Sequence, residues 1–199
     1  MAAMPPMLAY TVQSSPWTAN APSVVVGFGS NATWMTPAQP QDDSYWIVFF
    51  SRANPRQKVK EWVIPGNNNS QVPPGIDTYI NDPEYIFAVA TQTLSTLHVP
   101  QGPFYDFLAK YGAGRELQKL EQLNAVLSCG GYGHVNYALT SQAGGRNDPK
   151  IPPPPSYEMG DYRGNQVIMM MSLMPMESGA PPYSICDCYT FRAQGAHHA

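Results

Sequence analysis

Continuous apolar runs, more than alternation, mark the strands of this chain. Ser23-Val-Val-Val-Gly-Phe28, Tyr45-Trp-Ile-Val-Phe-Phe50 and Tyr85-Ile-Phe-Ala-Val-Ala90 are β-branched and aromatic stretches between turn-forming segments. That pattern predicts buried strands. Val59 to Ile64 is a shorter strand, and Ala53-Asn-Pro-Arg56 supplies the turn that joins it to the second run as a hairpin. From His134 to Thr140 the polarity alternates, with Val135, Tyr137 and Leu139 on one face, as in a strand half exposed to solvent. Val167 to Met174 and Tyr183 to Phe191 read as closing strands around Pro175 to Pro182.

A helical period occurs in one region. Pro103 is a favoured first-turn residue, and Phe104, Phe107, Leu108 and Tyr111 then recur at the spacing of one buried stripe. Gly112-Ala-Gly114 ends that helix, and a second places Leu117, Leu120, Leu123 and Leu127 on one side. One two-helix corner (about 103–127) among roughly seven strands predicts an α+β fold, a mostly antiparallel β-rich sheet or sandwich, because parallel strands need repeated crossover helices.

The segments outside these elements suggest a division of the chain. Residues 1–23 hold Pro5, Pro6, Pro16 and Pro22 and read as an extended arm with one strand near Leu8 to Val12. Residues 24–141 form the core domain. Residues 142–165 form a Pro/Gly-rich strap in which Pro152 to Pro155 hold polyproline II geometry. Residues 166–199 supply the closing strands and a tail.

Composition narrows the function. Charged residues are 13% of the 199, about half the usual quarter, and the net charge is −3. Such a chain has no basic footprint for phosphate backbones, so nucleic acid is not an expected partner. A neutral polar surface repels its own copies poorly and suits association. No stretch predicts a membrane span and the start lacks the pattern of a cleavable signal, so the default compartment is the cytoplasm, with extracellular or particle-associated placement left open. The 3 cysteines are too few for a disulfide framework.

Gly27-Phe-Gly-Ser-Asn-Ala32 matches a dinucleotide-binding fingerprint, but Pro37 and Pro40 leave no room for the helix that must follow, so a strand ending in a glycine turn is expected. Cys129 and His134, with Gly130, Gly131 and Gly133 between them, have the residue types of a small cysteine-dependent hydrolase or transferase. A buried structural cysteine followed by a turn explains the same residues. Cys186 and Cys188 face one way on a strand, and zinc would need two more ligands, for which only His197 and His198 lie near. No metal or other cofactor is expected. The carboxylates Asp42, Asp43, Asp77, Asp82, Glu84, Asp148, Glu158 and Asp161 are scattered, as solvated turns and strand edges require. Met169 to Met171, Met174 and Met176 suit a core first and a permissive interface second. Trp17, Trp34, Tyr157 and Tyr162 lie in segments that read as loops, where rings are tucked under straps or offered to a partner, and they are the candidate binding residues.

Between Tyr85 and Thr140 the order is a hydrophobic strand, a short helix with Phe107-Leu108, a Tyr111-Gly-Ala-Gly turn, a leucine-bearing helix and a strand opening after Gly130-Gly131. This arrangement resembles the interleukin-like EMT-inducer, or GG, domain of small secreted signalling proteins and glycosyltransferase stem regions. The resemblance implies a compact, non-catalytic β-rich module with a partner-binding or sugar-binding role. Residues and resemblance together predict a non-enzymatic binding or structural module that acts through a weakly charged, aromatic and Pro-rich surface. The expected partner is a second copy, another protein or a glycan.

Overall fold

In the computed structural model, the described residues are 7–14, 24–127, 133–145, 150, 152–177 and 180–192, with the side chains of 127, 177 and 187–192 left aside. Eleven strands and three helices follow in the order β1 (Leu8–Ser14), β2 (Val24–Gly27), β3 (Thr33–Met35), β4 (Ser44–Ser51), β5 (Lys58–Pro65), α1 (Asp77–Ile80), β6 (Tyr85–Gln92), β7 (Leu94–Ser95), α2 (Gly102–Lys110), α3 (Arg115–Leu127), β8 (His134–Gln142), β9 (Ser156–Asp161), β10 (Val167–Glu177) and β11 (Ala180–Arg192). A 5-stranded sheet has the order β11-β10-β1-β2-β3, and a 6-stranded sheet has the order β5-β4-β6-β8-β7 with β9 on β8. Every pairing is antiparallel. The fold is therefore the α+β, sheet-dominated class that the apolar runs predict.

The continuous runs have a specific cause. Tyr45, Ile47 and Phe49 of β4 turn toward the helices, where they join Phe104, Leu108, Leu117 and Leu120 in one core. Trp46, Val48 and Phe50, the alternate positions, turn toward the five-stranded sheet and meet Tyr10, Val12, Val26 and Met169 in a second core. The six-stranded sheet is thus the middle of three layers, and its strands need apolar residues on both faces. The five-stranded sheet is an outer layer, so β1 alternates: Leu8, Tyr10, Val12 and Ser14 are buried while Ala9, Thr11 and Gln13 are not.

Buried hydrogen bonds pin the layers. Tyr10 Oη lies 2.8 Å from Thr140 Oγ1. Ser14 Oγ donates to the Thr91 carbonyl at 2.7 Å, and Thr91 Oγ1 accepts from the Tyr137 amide at 2.9 Å. The Arg52 guanidinium donates to the Tyr183 and Pro83 carbonyls at 2.7 and 2.9 Å, tying the end of β4 to β11. Such bonds satisfy groups that would otherwise be costly to bury.

Several expectations change. The strand expected near Leu8 to Val12 is present as β1, and it is an inner strand of the five-stranded sheet, paired on both sides, while residues 1–6 and 15–23 of the predicted arm lie outside the described residues. The strap ends earlier than predicted, because β9 pairs with β8 from Ser156 onward, directly after the prolines. Trp34 and Tyr157 lie in the strands β3 and β9, not in loops. Both strands are short, 3 and 6 residues, and are flanked by proline and glycine, which hid them. The turn at Asp77–Ile80 is helical and buries Ile80, although the preceding prolines gave no helical period. The two-helix corner lies where its stripe predicts, with Phe104, Leu108, Leu117 and Leu120 buried.

Candidate binding surface

The two faces of the five-stranded sheet differ sharply. Its inner face is the second core, and no described helix lies on the opposite side, because the helices pack on the six-stranded sheet. Strand pairing fixes which side chains share that outer face. Trp34 stands opposite Val25, Val25 opposite Thr11, and Thr11 opposite Met170, which makes one row across four strands. Neighbouring rows hold Ala9 opposite Ser172 and Gln13 opposite Ile168. Trp34 is 65% exposed and Met170 44%. Met7, Phe28 and Met176 are exposed too. Among the described side chains of β1, β2, β3, β10 and β11, none is charged.

A sheet face open to water normally carries polar and charged residues. Here one row presents an indole, an isopropyl group, a threonine and a thioether. The local sequence explains how Trp34 reaches this row. The loop between β2 and β3 reverses in a single 3-10 turn at Gly29–Asn31, and an added Cβ at Gly27 would overlap Ala32, so only glycine permits the tight return that brings Trp34 beside Val25. The fingerprint-like glycines of this segment therefore serve a hairpin.

The other candidate aromatics occupy different surroundings. Tyr157 is half-buried against the inter-sheet core. Tyr162 follows β9, donates its hydroxyl to Glu116 Oε2 at 2.7 Å, and helps to line a cleft of about 300 Å³ with Lys119, Gln122, Leu123 and Val126 on the flank of α3. Trp17 lies outside the described residues. The three described rings do not converge: Trp34 belongs to the outer sheet and Tyr162 to the helical layer.

Cys129 also lies outside the described residues, while His134 is exposed at the start of β8. Cys186 is partly exposed on β11 opposite Ser172, and the side chain of Cys188 is not described. Among the described residues no group of three or more His, Cys, Asp or Glu could hold a metal ion. No helix there is long and apolar enough to cross a membrane.

Two polar clusters escaped the sequence. Glu158 of β9 accepts from the amides of Glu116 and Leu117 at 2.8 and 3.3 Å, and from the Tyr137 hydroxyl at 3.0 Å. It caps α3 from 42 positions away. Burial pushes the Tyr137 phenol well above its usual range, and the Glu158 charge adds to the shift. At the end of the middle sheet, Asp43 Oδ2 lies 2.6 Å from His98 Nδ1, and Asp43 Oδ1 accepts from the Ser95 amide at 2.9 Å. The Tyr45 hydroxyl donates to the His98 carbonyl. Asp43 adopts φ 48°, and Gly66 lies so close that a Cβ there would meet its carboxylate. Asp43 and His98 line a polar cleft of about 490 Å³ with Gln41, Asp42, Asn67 and Asn68. No periodicity or spacing links Asp43 to His98, and the pairing exists only through the fold.

No family model matches the sequence, and neither the curated proteins nor the solved structures compared with it provide a match.

Proposed function

We propose that this chain is a non-enzymatic binding module and that the outer face of the five-stranded sheet is the surface it offers to a protein partner. The observation that carries the reading is the row Trp34, Val25, Thr11, Met170, which lacks charge and is exposed at both ends, at Trp34 and Met170. Burying apolar surface yields about 25 cal/mol per Å², an exposed indole is the anchor that binding hot spots favour, and a methionine on the same row adapts to what covers it. The sparse charge of the whole chain, 13%, supports the same reading. So does the resemblance of residues 85–140 to a domain family with partner-binding roles.

A photoreactive benzoylphenylalanine placed at position 34 tests this in cells that express the chain. Adducts from position 34, and none from the same group at the exposed Val126 on α3, are the expected result. Equal yields at both positions, or none at 34, would contradict the proposal.

A further inference from the structure

We infer that the occupant of this face is a second copy of the same chain, seated sheet to sheet about a two-fold axis that runs parallel to the strands between β1 and β2. The inference rests on the binding-surface reading and adds the identity and geometry of the partner. Charge is the first argument. A face with no charged side chain among its described residues meets its best complement in another uncharged face, and the copy brings one without placing like charges opposite each other. A net charge of −3 is too small to hold two copies apart.

Register is the second argument. In the sheet order β10-β1-β2-β3, Met170 and Trp34 share one row and lie three strand spacings apart, about 14 Å at the usual 4.8 Å per strand. An axis midway between them sets Trp34 of each copy over the partner's Met170. Sulfur against an aromatic ring is a favourable contact, and the geometry makes it twice. Thr11 of one copy then faces the partner's Val25 at the centre.

Size is the third. Each outward position covers roughly 33 Å² of sheet, from the strand spacing and the two-residue repeat. About ten such positions on β10, β1, β2 and β3 overlap about this axis and give roughly 330 Å² per copy, well below the size of a stable specific interface. The dimer is therefore weak and reversible and forms only as the protein concentration rises.

Sedimentation velocity from about 1 to 500 µM tests the inference on the full chain, with the variants Trp34→Lys and Met170→Glu, singly and mixed. The wild type is expected to pass from monomer to dimer, each variant alone to stay monomeric with its melting temperature retained, and the mixture to recover dimers, because one contact becomes Lys against Glu and the other is restored. A wild-type dimer unaffected by either variant, or a mixture that stays monomeric, would overturn the proposed geometry. Monomers at all concentrations, together with position-34 adducts to other proteins, would overturn self-association and leave the binding surface standing. Monomers with no adducts would remove both.

Discussion

A single carboxylate closes the open end of α3. Glu158 takes two amides that the helix itself cannot satisfy and holds the buried Tyr137 hydroxyl. Glu158→Ala is expected to cost about 1–3 kcal/mol in urea unfolding, the range for a lost cap with a stranded phenol. Unchanged stability would show that water replaces the carboxylate. Three buried phenols also set a pH limit. Tyr10, Tyr45 and Tyr137 are all held above their ordinary value of 10.0, first by burial. Above pH 10 the unfolded chain gives up protons that the folded chain keeps, so stability is level below that pH and falls as pH rises through the range above it. Absorbance at 295 nm should show these three titrating together with unfolding, and Tyr137→Phe should weaken the decline. Early, reversible titration of all twelve tyrosines in a still-folded chain would contradict this. Neither role was legible beforehand: Glu158 looks like any other carboxylate in a string of turns, and only the pairing of β9 with β8 brings it to the helix.

Strands were legible where burial on both faces leaves a continuous apolar run, but such a run does not tell which face each residue joins. The run Tyr45 to Phe50 announced a strand, and its position in the middle layer explains the run. In β10 the same appearance misleads. Met169 and Met171 belong to the core, while Met170 points outward, so a methionine run that looks like uniform filler has two functions set by register. Adjacent substitutions expose the difference. Met169→Lys should cost more than about 3 kcal/mol by burying an unpaired charge, whereas Met170→Lys should stay within about 1 kcal/mol. Thermal melts of the two proteins give the answer, and equal losses would mean that the outer face is covered. Trp34 stands out as a large ring among turn-forming residues, but its strand has only 3 residues and no alternation to reveal which face it joins. The helical stripe, by contrast, was complete in the sequence because its period needs no distant partner.

At the scale of the molecule, the two ends of the chain build the outer sheet together. β1, β2 and β3 from the first part pair with β10 and β11 from the last, and they close over a middle sheet made by residues 44–161. Long-range pairing of this kind leaves little local trace, which is why the strand near Leu8 to Val12 was legible but its inner place in the sheet was not. The same closure leaves one sheet face uncovered by described residues, and that face is the central claim. Methyl spectra of 13C-methionine protein with a soluble nitroxide test it most directly. At low micromolar concentration the Met170 methyl should be broadened while Met169 and Met171 stay sharp, and raising the concentration should protect Met170. A Met170 methyl sheltered even at the lowest concentration, or exposed at every concentration and with every partner, would contradict the account.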